Sequence, residues 1–323
     1  MGTTSDKILN DLDYWDIRVI LPFQRNFNFI NGERSIGKTY STQKFLLNEA
    51  IKKHKEFVYL VRTQDEKKSL AFEQAFSKVC SLEFPDCEIN FDSENCWLGS
   101  DSDFRVTLGY CLALTEASKA KRKSFPNVYY ILFDEYMIEE GQGQRYINGW
   151  KEPESFLSIY HTVDREEDRV KCFLLGNNTS FYNPYHMHPA FSIPNIQKGK
   201  TWYSDNVLFQ WAVGSPRLKE RKANSKFLQM IKNTDYEHYA VNGDYPDDNP
   251  AFIEPKPEVS NHYFNVTTMG RTFGIWYSRN TGSIYISAKF DPSCKYNFAL
   301  DVHDHSEDTT LIKNKNHPLL QWL

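Results

Sequence analysis

The residues with the clearest chemical potential lie in an eight-residue segment, Gly32–Thr39 (GERSIGKT), which fits the pattern G-x-x-x-x-G-K-[ST]. Glycines let the backbone turn tightly, so that its N–H groups converge on a triphosphate. Lys38 can reach the β- and γ-phosphates, and the hydroxyl of Thr39 can ligate Mg²⁺. The predicted nucleotide-binding residues of this segment are Gly32, Arg34, Ser35, Ile36, Gly37, Lys38 and Thr39.

The flanking sequence has the order that a phosphate-binding loop requires. Residues 26–30 (NFNFI) alternate polar and apolar side chains, which is typical of a strand, and residues 39–54 favour a helix. A loop that leads into a helix N-terminus also gains a favourable helix dipole. A plain glycine turn before an amphipathic helix would explain this segment alone, but it would not explain an acidic motif downstream.

That second motif is residues 129–135 (YYILFDE), a short bulky run that ends in two carboxylates. It predicts a buried parallel strand with acids at its C-terminal tip. In a nucleotide site Asp134 would hold the Mg²⁺ shell, and Glu135 would polarise the attacking water as general base. Taken alone, the two acids could equally be a solvated pair that caps the next helix.

The composition of the 323 residues is that of a globular protein with one large or two modest domains. The net charge of −4 predicts that any contact with nucleic acid is local and salt-dependent. No apolar run approaches membrane-spanning length and the N-terminus has no signal-peptide pattern, so we expect no membrane contact. Six scattered cysteines without a C-x-x-C pair predict reduced thiols rather than structural zinc.

Strand and helix patterns alternate along the first two-thirds of the chain, which predicts an α/β fold with a mostly parallel sheet. Between Glu88 and Leu114, short alternating runs predict β-hairpins beside the core. Turn-forming residues place boundaries near 214 and 248. We therefore expect a nucleotide-binding domain over residues 1–214, a helical linker over 215–248 and a β-rich domain over 249–323, with a hairpin turn at 279–282.

With these motifs in place, the chain resembles the DNA-packaging ATPases of phi-29-like tailed bacteriophages, which are related to large terminases. The similarity runs from about residue 26 to residue 312 and lies in the order and spacing of short motifs. These are Gly32–Lys38 (G-x-R-x-I-G-K), Phe125–Val128, Phe133–Glu135, Thr162–Arg165, Arg169–Cys172, Asn183–Tyr185, Phe252–Glu254, Gly274–Trp276 and Asp291–Ser293.

The resemblance implies a P-loop ATPase domain of the additional-strand, catalytic-glutamate class, then a linker and a small α+β RNase H-like domain that has lost nuclease function. It implies a homo-oligomeric ring, commonly pentameric, that docks on the prohead portal in the host cytoplasm and drives double-stranded DNA inward using ATP. In some members a packaging RNA joins ring and portal. The sequence ends at Leu323, where relatives continue, so the expected final domain is incomplete or a shorter variant.

Two catalytic roles come from the resemblance. Arg165 matches an arginine finger that reaches the γ-phosphate bound by a neighbouring subunit, and Asn177 matches a sensor that orients the lytic water. From the sequence alone, Arg165 lies in a charged stretch, residues 164–169 (DREEDR), that would usually be a self-paired, solvated surface. Asn177 alone could be a turn-forming asparagine.

We expect contact with DNA phosphates at a basic cluster before the acidic strand, although the cluster could equally serve solubility. Its residues are Lys119, Lys121, Arg122 and Lys123, and Lys121 also falls where the family has a lysine proposed to act in trans. A second basic cluster in the linker contains Arg217, Lys219, Arg221 and Lys222.

Two other functions fit part of the sequence. A nucleotide kinase would need an Arg-rich lid and an acceptor-nucleotide site, and it does not require a glutamate after Asp134. A non-catalytic module would not need to keep Lys38, Thr39, Asp134 and Glu135. The segment 301–305 (DVHDH) could suggest a metal nuclease, but a solvated turn is the favoured interpretation.

Overall fold

The computed structural model describes residues 14–68, 71–99, 105–138, 145–177, 180–230, 256–268, 270–280 and 282–312. The chain divides into two compact units, Met1–Met187 with Phe191–Asp248 and His188–Ala190 with Asn249–Leu323. The predicted boundary near residue 248 lies outside the described residues.

Nine of the described strands form one sheet in the first unit. They are β1 (Phe27–Gly32), β2 (Glu56–Val61), β3 (Ile89–Phe91), β4 (Asn95–Leu98), β5 (Val106–Ala113), β6 (Val128–Asp134), β7 (Lys171–Asn177), β8 (Thr201–Tyr203) and β9 (Val207–Ala212). The order is β3-β4-β5-β2-β6-β7-β1-β9-β8. Six neighbouring strands of this sheet run parallel, namely β5, β2, β6, β7, β1 and β9. Antiparallel strands flank them at both edges. The predicted α/β fold with a mostly parallel sheet is confirmed.

The helices follow the strands as crossover connections require. Those in the described residues are α1 (Lys38–Lys53), α2 (Gln64–Lys68), α3 (Ala71–Glu83), α4 (Ala117–Ala120), α5 (Glu152–Asp164), α6 (Pro184–Met187), α7 (Pro216–Ala223) and α8 (Lys226–Met230). The longest, α1, ends at His54 in a left-handed conformation, with Lys52 and Lys53 in its last turn, where cations interact favourably with the helix dipole. Within the described part of the chain, no helix is both long enough and apolar enough to cross a membrane.

Two hydrophobic clusters cover opposite faces of the sheet. Successive side chains of β6 alternate between them, because side chains on a strand point to opposite faces. Tyr130 and Leu132 join the cluster that contains Leu46 of α1, and Ile131 joins the cluster that contains Phe156 of α5. The sheet is therefore buried between two layers of helices, and its strand ends are held at fixed positions.

Two parts of this sheet differ from the predictions. The segment 88–114 does form antiparallel pairs, but β5 lies inside the sheet, parallel to β2, rather than beside the core. The polar and glycine residues that interrupt the segment 88–114 hide the fact that Leu108 and Cys111 are fully buried. The strand β9, which no motif had marked, pairs with β1 and borders the candidate site.

The second unit contains a five-stranded sheet in its described residues. Its strands are β10 (Asn261–Thr268), β11 (Arg271–Ser278), β12 (Ser283–Ser287), β13 (Asn297–Ala299) and β14 (Thr310–Leu311), in the order β12-β11-β10-β13-β14. Strands β11 and β12 are antiparallel on either side of residues 279–282, so the predicted hairpin is confirmed. Phe264, Val266 and Ile275 form its small buried cluster.

Candidate nucleotide-binding site

The glycine-rich segment 32–39 runs from the end of β1 into α1, at the carboxyl edge of the parallel strands. Gly37 has φ = +97°, a conformation that costs other residues free energy. Gly32 is required for a different reason, since a Cβ there would lie 2.3 Å from the carbonyl oxygen of Ala212 in β9. The backbone path alone therefore demands both pattern glycines.

The amine of Lys38 is buried against this loop. Its Nζ donates hydrogen bonds to the carbonyl oxygens of Gly32 (3.0 Å) and Glu33 (2.8 Å). Burial lowers the pKa of Lys38 to about 7, although the charge of Asp134 opposes this shift. An incoming phosphate would favour the charged amine in the same way as Asp134 does.

Asp134, the last residue of β6, faces the first turn of α1. Thr39 Oγ1 donates to Asp134 Oδ1 at 3.3 Å, and the Glu135 N–H donates to the same oxygen at 3.1 Å. Burial, and then the neighbouring charge of Glu135, raise the pKa of Asp134 to about 6. A hydroxyl and a carboxylate oxygen at this spacing are hard ligands that suit Mg²⁺ together with phosphate and water oxygens.

A cavity of about 720 Å³ connects these groups. The residues that line its inner part are Ser35, Ile36, Gly37, Lys38, Thr39, Asp134, Glu135, Leu175, Gly176 and Asn177. Glu135 is exposed with φ = +56°, and Asn177 is the last residue of β7, in register with Gly32. The two predicted motifs and Asn177 therefore meet in one cavity.

The outer part of the cavity lies between the N-terminal segment, α1 and α3. It is lined by Tyr14, Trp15, Asp16, Tyr40, Ser41, Lys44, Lys78 and Leu82. Trp15 is nearly fully buried, and its backbone N–H donates to the Ile36 carbonyl oxygen at 2.8 Å. The whole cavity is within the size range of small-molecule sites.

A buried ion pair that the motifs did not indicate lies behind Glu135. Arg62, directly after β2, pairs with Glu152 of α5 (Nε–Oε2 3.1 Å), and both side chains are buried. Tyr185 and the backbone N–H of Ile147 also donate to the Glu152 carboxylate. In the sequence, Arg62 is marked only by its position directly after the apolar run 57–61.

Tyr136, the residue after Glu135, is also held by buried side chains. Its hydroxyl contacts Asn31 Oδ1 (2.6 Å) and His186 Nε2 (2.7 Å). His186 is fully buried, and burial lowers its pKa to about 3. Neutral polar groups thus fix the backbone that follows the acidic pair.

Arg165 does not join the cavity. It is exposed at the C-terminus of α5 with φ = +53°. The buried Asp164 carboxylate accepts hydrogen bonds from the N–H groups of Asp168, Arg169 and Val170. The charged stretch is therefore a rigid turn, and within the described residues Arg165 forms no ion pair.

The basic cluster 119–123 is divided by its contacts. Lys119 pairs with Glu116 and Lys123 with Glu94, each at 2.9 Å. Lys121 and Arg122 are exposed and have no ion-pair partner among the described residues. Lys119 belongs to the short helix α4, and Lys121, Arg122 and Lys123 follow it in the connection to β6.

Comparisons with known proteins identify the family of this chain. The family described as Podovirus DNA encapsidation protein (Gp16) matches residues 9–320. A DNA packaging protein of Bacillus phage phi29 is 29% identical over 301 residues, which cover 93% of this chain and 86% of the relative. The corresponding protein of Bacillus phage B103 is 28% identical over 295 residues, covering 91% and 88%.

Solved structures give the same result. A chain of the bacteriophage Phi-29 viral genome packaging motor assembly has a TM-score of 0.69 and 27% identity, over 93% of this chain and 88% of that one. The N-terminal domain of the DNA packaging ATPase from bacteriophage phi29 has a TM-score of 0.53 and 28% identity, over 62% of this chain and 96% of that one. The chain belongs to the Podovirus DNA encapsidation protein family, as the resemblance implied.

Proposed function

We propose that this chain is the ATP-hydrolysing subunit of a motor that drives double-stranded viral DNA into a prohead. The observation that carries the proposal is that Lys38, Thr39, Asp134 and Glu135, predicted from two separate motifs, line one cavity. The names of its relatives, DNA packaging proteins and a genome packaging motor, supply the substrate.

In the proposed mechanism the chain's own residues bind and orient the nucleotide. Loop N–H groups and Lys38 hold the β- and γ-phosphates. Thr39 and Asp134 would hold Mg²⁺, and the ion would supply positive charge beside the phosphates. Glu135 accepts a proton from the attacking water, and Asn177 orients that water. The outer part of the cavity, near Tyr14 and Leu82, receives the nucleoside.

The oligomeric part of the proposal concerns Arg165. Six residue steps of β6 span about 20 Å, and Arg169 binds the carbonyl oxygen of Val128 at the opposite end of β6 from Glu135. Arg165 therefore lies far from its own site and acts on a neighbour's γ-phosphate. This favours a ring of subunits. From the family resemblance, the ring is pentameric and docks on the prohead portal in the host cytoplasm, and a packaging RNA is a further partner.

The proposed roles of the domains follow the boundaries expected from the sequence. Residues 1–214 form a P-loop ATPase domain of the additional-strand, catalytic-glutamate class, and residues 215–248 form the linker. Residues 249–323 form an RNase H-like domain without nuclease activity.

The test is the ATPase rate with and without double-stranded DNA, for the wild type and for Glu135→Gln. We expect DNA to stimulate the wild type, and the variant to bind ATP but to lose turnover by at least about 100-fold, since general-base catalysis contributes about 10²–10⁴-fold. Glu154→Gln, which makes the same change at an exposed residue of α5 that does not line the cavity, is the matched control. Phosphate transfer to a nucleoside monophosphate instead of water would establish the kinase alternative.

A further inference from the structure

Helix α7, the first element after the sheet in the chain, packs directly against the glycine-rich loop. Leu218 is buried in the hydrophobic cluster that also contains Ile36 of the loop and Trp15. The side chain of Ser215 accepts a hydrogen bond from the Leu218 N–H, which caps the helix N-terminus. These contacts fix the position of α7 relative to the loop.

Basic side chains of α7 bind the loop and the cavity wall at three points. Lys219 Nζ lies 3.0 Å from Glu33 Oε1, in the geometry of an ion pair rather than a hydrogen bond, and Glu33 is only 2% exposed. Lys222 Nζ donates a hydrogen bond to the carbonyl oxygen of Arg34. Arg221 donates to the Tyr14 hydroxyl at 2.6 Å and lies over its ring.

The bond to the Arg34 carbonyl has a consequence for the rest of the loop. In a planar trans peptide the carbonyl and the N–H of the next residue point in opposite directions. Lys222 therefore turns the Ser35 N–H away from α7, and Ser35 lines the cavity. On the other flank, the bond from the Trp15 N–H to the Ile36 carbonyl has the same effect on the Gly37 N–H.

We propose that Lys222, supported by Lys219, is a positioning residue that holds the loop in the conformation whose N–H groups receive the triphosphate. The proposal rests on the proposed ATP-binding function. It assigns these two lysines of the second basic cluster to the phosphate loop rather than to DNA. Because α7 begins the proposed linker, ATP affinity and the position of α7 are thermodynamically linked.

The experiment is equilibrium binding of a fluorescent ATP analogue, with steady-state kinetics on the same full-length proteins. Lys222→Met is expected to raise the Kd and the KM about tenfold, the effect of losing one hydrogen bond from a charged donor, with kcat within about twofold of wild type. Lys222→Arg, which keeps a charged donor, is expected to restore wild-type binding. Lys226→Met is the control, because Lys226 is exposed on α8 without an ion-pair partner in the described part of the chain.

The variant Glu33→Gln distinguishes a positioning role of the lysines from a direct effect of charge on ATP binding. Removing a negative charge beside the loop would strengthen binding of a polyanion if charge alone mattered. The positioning role predicts weaker binding, by about threefold, because Lys219 loses its ion-pair partner. This variant keeps the shape of the buried side chain and serves if Lys222→Met does not fold.

Wild-type affinity in Lys222→Met, no recovery in Lys222→Arg, or tighter binding in Glu33→Gln would each overturn the inference. These results would leave the proposed function intact, provided that the wild type binds and hydrolyses ATP. Failure of the wild type to bind ATP would overturn both.

Discussion

The guanidinium of Arg62 donates a 2.8 Å hydrogen bond to the carbonyl oxygen of Tyr136, the residue that follows Glu135. It also approaches the Glu135 carbonyl oxygen at 3.4 Å, while Glu152 neutralises its charge. The Glu135 side chain is exposed, but hydrogen bonds from the buried Arg62 fix the backbone that carries it. This relationship makes the geometry of the candidate base depend on β2 and α5.

We first predict that breaking the buried pair is costly. Glu152→Gln leaves the Arg62 charge buried without a counter-ion, which lowers the free energy of unfolding by about 3–5 kcal/mol. Arg18→Ala removes the ion pair of Arg18 with Asp16, in which the Arg18 side chain is 61% exposed. This variant should change the free energy of unfolding by about 1 kcal/mol or less. Urea denaturation measures both, and equal effects would contradict the prediction.

The same pair should affect catalysis. Arg62→Lys keeps the charge, but one ammonium group cannot replace both the Nε contact with the Glu152 carboxylate oxygens and the separate bond to the Tyr136 carbonyl oxygen. We expect ATP affinity to be retained and kcat to fall on the order of 10²-fold, the cost of misplacing a catalytic group by about 1 Å. Single-turnover hydrolysis of bound ATP measures this, and a wild-type rate would exclude a positioning role for Arg62.

A third prediction concerns pH. Burial lowers the pKa of His186 to about 3 in the folded protein, against 6.5 for an ordinary histidine. The unfolded chain therefore binds a proton that the folded chain does not, so stability present above pH 6.5 is lost as the pH falls toward 3. The expected loss is about 1.4 kcal/mol per pH unit in this window.

The test compares unfolding free energies from pH 7 to pH 4 for the wild type, His186→Gln and His161→Gln. His161 is exposed on α5, and its replacement should leave the slope unchanged. His186→Gln should be less stable at pH 7 but should show a shallower decline on acidification. Parallel curves for wild type and His186→Gln would be inconsistent with a neutral buried histidine.

Arg165 supplies a fourth prediction, which needs mixed subunits. Arg165→Ala and Glu135→Gln should each lose ATPase activity when assayed alone under packaging conditions. For Arg165→Ala the ATPase rate should fall by a factor on the order of 10³. A mixture should regain ATPase activity, because a subunit with intact Glu135 then receives Arg165 from its neighbour. Arg18→Ala mixed with Glu135→Gln should only dilute the activity, and absence of recovery in the first mixture would count against a finger in trans.

The last prediction concerns DNA. Lys121 and Arg122 are exposed, whereas Lys119 and Lys123 already pair with acids. Replacing Lys121 and Arg122 together by alanine should reduce the slope of log K for DNA against log salt by about 1.8, or 0.9 per phosphate contact. Replacing Lys119 and Lys123 should change it less. The reverse order would show that the paired lysines make the contacts.

The two motifs were readable from the sequence because their chemistry is local. A glycine pattern before Lys38 and two acids after a bulky run need only a few neighbouring residues to be recognised. The parallel sheet followed from alternating patterns, and parallel strands place their carboxyl ends at one edge. Bringing Lys38 and Glu135 together was therefore foreseeable.

The contacts that hold this site were decided by the tertiary structure. Glu152, His186 and Lys222 lie outside both motifs, and their local sequence does not indicate which groups they contact. Strand β5 was misplaced for a related reason, since its place inside the sheet depends on pairing with β2, which is remote in sequence. Local patterns determine which elements form and which carry chemistry, whereas partners of buried polar groups depend on packing between remote segments, which no short window of sequence records.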